Sequence, residues 1–102
     1  TPRSIMQEVS PKLAEMTAEV LFGDIWERPE LSKRDRSLIT VANLVALYRT
    51  DQLKGHIGRA LDNGVTRDEI SEVILHTTFY AGWPTGANAA RVAKEVFDER
   101  GI

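Results

Sequence analysis

The residues of this chain that could do chemistry are polar side chains set into otherwise apolar stretches. Between Leu38 and Tyr48 the only polar residues are Thr40 and Asn43. At 100° per residue in a helix, both lie within about 60° of Arg36 and form one polar stripe. His56 follows in the next stretch, between apolar positions. A cleft lined mostly by apolar groups, with a few polar groups converging on it, is typical of a small-molecule site.

A second stripe follows 3-4-4 spacing through Glu69, Glu72, His76 and Tyr80. Structural explanations stay open for each candidate. They are a helix cap for Glu69, a surface pair for Glu72 and His76, and core or interface packing for Tyr80. A satisfied structural histidine is the alternative for His56. For Arg36 it is exposure near a helix start or an ion pair with Asp35 or another carboxylate, and for Thr40 and Asn43 it is bonding to the backbone or to a neighbouring subunit. Neither His-x-x-x-His nor Glu-x-x-His occurs, so no metal site is predicted.

Composition excludes several classes of function. The 102 residues include no Cys, which excludes disulfide scaffolds, iron–sulfur clusters and thiol chemistry. Thirteen basic and fifteen acidic residues give a net charge of −2, and no basic run marks a nucleic-acid binder. No apolar stretch is long enough to span a bilayer, and no secretory leader is recognisable. We expect a cytoplasmic protein that binds neither membrane nor nucleic acid.

Start and stop signals predict about five helices in one all-α domain over residues 1–102. Ser10 before Pro11 marks one start, Thr66 to Glu69 is a capping box, and Gly64 marks a stop. Short gaps after two of the helices predict antiparallel helical hairpins. The predicted helices run from Pro11 to Gly23, from Ser32 to about Tyr48, from a cap at Thr50 or Asp51 to Asn63, from Thr66 to about Ala81, and from about Thr85 to Arg100.

Two of these helices are too apolar for a small monomer. The helix over 38–48 has two polar residues, and the helix over 73–81 has only His76, Thr77, Thr78 and the hydroxyl of Tyr80. A surface helix of a small domain shows a polar face. Only one helix of five is easily central, so we expect the outer faces of these helices to meet another subunit in a homo-oligomer.

Three runs of the sequence resemble signatures of the carboxymuconolactone decarboxylase family, in the family's order and spacing. They extend from Leu31 to Ala42, from Leu53 to Ile70 and from Tyr80 to Pro84. The resemblance covers about residues 22–98. It implies an all-α fold of the alkylhydroperoxidase D-like type that assembles as a trimer or a hexamer.

A sister group, the alkylhydroperoxidase D proteins, carries a Glu, then Cys-x-x-Cys, then a His four residues after the second Cys. Counted back from His56, the two Cys positions are held here by Arg49 and Gln52, and the Glu position by Ser37. Peroxide reduction by that route needs a nucleophilic and a resolving thiol. The resemblance is therefore to the cysteine-free, decarboxylase-like branch, and a redox function is disfavoured.

The decarboxylase branch implies a cofactor-free carboxy-lyase acting on a small acidic molecule, such as a carboxylated lactone or a keto acid. His56, at a family motif position, is the expected catalytic general acid/base. Arg36 is the expected anchor for a carboxylate, and Asn43 and Tyr80 are the expected hydrogen-bond donors to substrate. The alternative is a family member that binds a small ligand or supports an assembly without catalysis.

Overall fold

The structure, a computed structural model, describes residues 2–102, with side chains from Ser4 onward. No strand occurs among these residues, and the prediction of an all-α fold is confirmed. The chain divides into two compact units, one up to Lys33 and one from Arg34 to Ile102. The helices are α1 (Pro2–Val9), α2 (Pro11–Met16, continued as a π-helix over Thr17–Phe22), α3 (Lys33–Ala46), α4 (Thr50–Asp62), α5 (Arg67–Ala81) and α6 (Trp83–Arg100), with a 3₁₀ turn at Ile25–Glu27.

The first unit contains α1, α2 and the 3₁₀ turn. Helix α1 was not predicted, because the first start signal recognised in the sequence was Ser10 before Pro11. Ser10 is the N-cap of α2 and Pro11 its first residue, as predicted, although the Ser10 side chain makes no capping hydrogen bond. Trp26 is buried at 8% exposure, with its ring centroid 5.8 Å from that of Phe22. It anchors the connector after α2.

Helices α3 and α4 form an antiparallel hairpin at the start of the second unit. Asn63, just after α4, donates from Nδ2 to the Oγ of Ser37, near the start of α3, at 3.0 Å. At the other end the chain reverses through Tyr48, which has φ 62°. Arg49 is the N-cap of α4, so the predicted cap at Thr50 or Asp51 was one or two residues late.

Helices α5 and α6 form a second antiparallel hairpin. The capping box at the start of α5 is complete: Thr66 Oγ1 accepts from the backbone N–H of Glu69, and Glu69 accepts from that of Thr66. The guanidinium of Arg67 lies over the ring of Phe97, which pairs the start of α5 with the end of α6. Gly82, with φ 111°, makes the break between the helices. Since Pro is tolerated in a first turn, α6 begins two residues before the predicted Thr85.

The core of the second unit lies between α3, α4, α5 and α6, with α6 packed against both α4 and α5. Leu53, Ile57 and Ile70 are its largest fully buried apolar side chains. Large apolar groups nevertheless remain outside it. Within the described chain, no helix combines the length and the apolar character needed to cross a membrane. The apolar residues exposed by at least 48% on α3, on α5 and next to them are Ile39, Leu47, Tyr48, Leu75, Phe79, Tyr80 and Trp83.

Candidate functional site

The polar stripe of α3 consists of Arg36, Thr40 and Asn43. Arg36 and Thr40 are half-buried, and Asn43 is exposed. Thr40 Oγ1 donates to the backbone carbonyl of Arg36 at 2.8 Å. The hydroxyl proton of Thr40 is therefore used within its own helix, whereas the side chains of Arg36 and Asn43 extend from the same side of α3.

The hairpin register fixes the level of α3 that His56 of α4 faces. The hydrogen bond between Asn63 and Ser37 aligns the end of α4 with the start of α3. His56 lies two turns before Asn63 on the same side of α4, because residues seven apart differ by only about 20° in direction. Two turns along α3 from Ser37 lies the turn that contains Asn43. His56 is therefore level with the turn of α3 that contains Asn43, although Asn43 itself lies about 120° around α3 from Ser37.

His56 is half-buried, and its Nδ1 is enclosed by protein. Burial lowers the pKa of the imidazole below its usual value, because removal from water disfavours the charged form. The positive charge of Arg59, three residues later on α4, lowers this pKa further. The neutral form of His56 is therefore favoured in the folded chain.

Tyr80 lies on another surface. It is 82% exposed, and its ring packs against that of His76 at a centroid distance of 5.0 Å. A shallow cavity of about 330 Å³ lies one turn earlier on α5, where Ala42 of α3 meets His76. Ala42 is about 140° around α3 from Ser37, on the side away from the polar stripe. Arg36 and Asn43 lie on one side of α3, His56 is half-buried on α4, and Tyr80 is exposed on α5. The groove along α4 and the cavity beside Ala42 are lined by none of these four residues.

Arg59 is a charged neighbour of His56 that sequence reasoning passed over. Its side chain is exposed on the outer ridge of α4, between the side that carries His56 and the side that faces α6. There it also lines an open groove of about 560 Å³ that continues toward Arg100. The spacing of three residues from His56 was the signal available in the sequence, since such residues are neighbours on a helix surface.

The positions of the sister group's two Cys residues and its Glu are occupied in this chain by two exposed residues at the start of α4 and one buried residue of α3. Arg49 is the exposed N-cap of α4, and Gln52 is exposed on its first turn. Ser37 is buried at 1% exposure and accepts the hydrogen bond of Asn63. Among residues 2–102, no three acidic or histidine side chains cluster in a way that could hold a metal ion.

Comparison with known proteins identifies the family to which this chain belongs. The model of the carboxymuconolactone decarboxylase family matches residues 11–95. The chain belongs to this family. It is 47% identical over 81 residues to "4-carboxymuconolactone decarboxylase" of Acinetobacter baylyi, covering 79% of this chain and 60% of that protein.

The chain is also similar to two further proteins. The chain is 33% identical over 85 residues to "Nitrosuccinic acid decarboxylase npaB" of Metarhizium robertsii, covering 83% of this chain and 59% of that protein. It is 27% identical over 96 residues to an uncharacterized 15.0 kDa protein of Paracoccus denitrificans, covering 92% of this chain and 72% of that one. The chain therefore spans about three fifths of the length of the two named decarboxylases.

Helices α3 and α4 carry the groups of this family member that are candidates for chemistry. They are the imidazole of His56, biased toward its neutral form, the guanidinium groups of Arg36 and Arg59, and the carboxamide of Asn43. Such a set can hold an anionic molecule, donate hydrogen bonds to an oxygen that gains negative charge, and transfer a proton.

Proposed function

We propose that this protein is a cofactor-free decarboxylase that acts on a small acidic molecule, a carboxylated lactone or a similarly activated carboxylic acid. The observation that carries the proposal is the environment of His56, which is half-buried on α4, with its Nδ1 enclosed by protein and the charge of Arg59 acting on it. The two relatives named as decarboxylases support the reaction type.

In the proposed reaction, the bond between the substrate carbon and its carboxylate breaks and carbon dioxide leaves. The electron pair stays on the substrate and passes through a conjugated double bond to the lactone carbonyl oxygen. Arginine and carboxamide donors stabilise the negative charge on that oxygen. His56, as the imidazolium, then gives its proton to the carbon and recovers one from water. The lowered pKa makes this imidazolium a stronger acid than an exposed histidine.

The two histidines of the chain provide a matched pair of variants. Gln is similar in size to His but cannot titrate. We expect His56→Gln to lower the rate of carboxymuconolactone decarboxylation by ~10²–10⁴, the usual worth of a general acid or base. The same substitution at the exposed His76 should leave the rate within a few-fold of wild type.

Consumption of the lactone is followed by ultraviolet absorbance, and circular dichroism checks that both variants fold. Equal rates for wild type and His56→Gln would remove His56 from the reaction. If the wild-type protein is folded but turns over neither the lactone nor nitro acid substrates, the decarboxylase proposal is wrong. Ligand binding without catalysis would then be the function.

The proposal includes a homo-oligomer, a trimer or a hexamer. The apolar stripe Leu75, Phe79 and Trp83 follows one side of α5 into α6, with exposures of 53%, 68% and 64%. Phe79 and Trp83 pack edge to face at a centroid distance of 5.1 Å. Side chains of this size dominate interface energetics when a partner buries them. Tyr80 is adjacent to this stripe. In an oligomer it would therefore contact the substrate bound to a neighbouring subunit.

A further inference from the structure

The turn that follows α4 contains a chemically reactive dipeptide, Asn63 and Gly64. An Asn followed by Gly is especially prone to spontaneous deamidation, because Gly has no side chain to shield its backbone nitrogen. The other asparagines of the chain, Asn43 and Asn88, precede Leu and Ala. Asn63 is half-buried, Gly64 is exposed, and Asn63 lines the open groove along α4, so water reaches the turn.

Deamidation at this dipeptide needs no reactant other than water. The Gly64 nitrogen forms a bond to the Cγ of Asn63, the bond between Cγ and Nδ2 breaks, and ammonia leaves with the proton of the Gly64 amide. Water then opens the resulting succinimide ring. Opening at Cγ gives Asp, and opening at the backbone carbonyl carbon gives isoaspartate. In both products a carboxylate replaces the carboxamide.

The folded backbone holds Asn63 in a geometry that cannot react. Ring closure needs the Gly64 nitrogen on the same side of the Cα–C bond as Cβ, but with ψ 6° that nitrogen nearly eclipses the backbone nitrogen of Asn63. Rotation about this bond breaks the 3.2 Å hydrogen bond from the Gly64 N–H to the carbonyl of Leu61. It also breaks the 2.9 Å hydrogen bond from the Val65 N–H to the carbonyl of Ala60, and it withdraws the buried Val65 from the core. The turn must therefore open before the reaction begins.

The side chain of Asn63 is held as well. Its Nδ2 donates to the Oγ of Ser37 at 3.0 Å, and Ser37 is fully enclosed in α3. This hydrogen bond keeps the carboxamide directed at α3 and joins the end of α4 to the start of α3. Its loss gives Cγ more freedom to meet the Gly64 nitrogen whenever the turn opens.

We infer that Asn63 is the site at which this protein deamidates spontaneously, and that its hydrogen bond to Ser37 slows the reaction until the turn after α4 opens. Both products lack the N–H group that Asn63 donates to Ser37, and isoaspartate adds a carbon atom to the main chain of the turn. The modified chain therefore loses the hydrogen bond that fixes the level of α3 faced by His56.

The test follows the mass of the peptide that contains Asn63 while the full chain is incubated in mildly alkaline buffer, with and without guanidinium chloride. Deamidation changes the mass by the difference between an oxygen atom and an NH group, and fragmentation assigns the change to one asparagine. The test variant is Ser37→Ala, and Ser71→Ala is its control because Ser71 is exposed on α5. Gly86→Ala is a second control, since it crowds Thr78 in the contact between α5 and α6 and does not touch the turn after α4.

We expect the mass of wild type to change at Asn63 before Asn43 or Asn88. Folded wild type should react about 10-fold or more slowly than the chain in guanidinium chloride, because the turn must first break two backbone hydrogen bonds. Ser37→Ala should raise the rate in the folded chain by about 2- to 10-fold, the rate ratio that corresponds to one net hydrogen bond. It should leave the rate in guanidinium chloride unchanged. Both controls should match wild type within about 2-fold, since the turn opens locally.

Equal rates for folded Ser37→Ala and wild type would overturn the role of Ser37. Equal rates with and without guanidinium chloride would show that the fold does not protect Asn63. A rate that rises as much in Gly86→Ala as in Ser37→Ala would show that global unfolding exposes Asn63, which also contradicts the inference. Circular dichroism checks that each variant folds, and because turnover is not measured, the result is independent of the proposed decarboxylase activity.

Discussion

The closest approach between α5 and α6 depends on the absence of a side chain at Gly86. This residue is buried in α6 opposite Thr78 of α5. A Cβ added to Gly86 would overlap the Oγ1 of Thr78 and come within 3.0 Å of its Cβ. Rotation of the Thr78 side chain moves Oγ1 but not Cβ. It also breaks the 2.7 Å hydrogen bond that Oγ1 donates to the backbone carbonyl of Ile74. Gly86→Ala therefore forces the two helices apart.

The expected change in the free energy of unfolding follows from two opposing effects. Overpacking of a well-packed contact costs about 1–3 kcal/mol. The higher helix propensity of Ala returns about 0.5–1 kcal/mol. We therefore expect Gly86→Ala to lower the free energy of unfolding by up to about 2.5 kcal/mol. For a domain of this size that lowers Tm by up to about 20 °C.

Gly55 provides the matched control, because a Cβ there has no atom within 4 Å. Gly55→Ala lies in the interior of α4 and should raise stability by about 0.5–1 kcal/mol. Calorimetry at one fixed protein concentration measures both variants, since Tm depends on concentration in an oligomer. Adding Thr78→Ala to Gly86→Ala should recover part of the loss. A Gly86→Ala variant as stable as Gly55→Ala would show that this contact does not set the helix spacing.

Three further outcomes are expected. Because the pKa of His56 is lower in the folded chain, the unfolded chain binds more protons than the folded chain around and below about pH 6.5. The free energy of unfolding should therefore decrease as the pH is lowered from about 7 to about 5. Urea titrations of His56→Gln should show a shallower fall, and an identical slope would contradict the assignment. Thr66→Ala removes the cap of α5 and should cost about 0.5–2 kcal/mol by the same method. Phe79→Lys should dissociate the oligomer in sedimentation, while Ser71→Lys on the polar half of α5 should not; a wild-type monomer at micromolar concentration would refute the assembly.

Local signals in the sequence were sufficient to locate most of the helices. The capping box from Thr66 to Glu69 and the left-handed cap at Gly101 have short-range physical causes, and both are present in the structure. The start of α6 was placed too late because Gly82 alone breaks the chain and Pro84 fits the first turn. The resemblance of three runs also identified the family and His56 as its motif position.

Only the tertiary structure decided which polar residues share a surface. Helical spacing grouped Arg36 with Asn43 and His76 with Tyr80, but it carries no information on which faces of two helices meet. The hydrogen bond between Asn63 and Ser37 sets that register and puts His56 level with the turn of α3 that contains Asn43. Tyr80, in the last turn of α5, is exposed and packs against His76. Residues distant in sequence come together through packing, and local spacing cannot specify that arrangement.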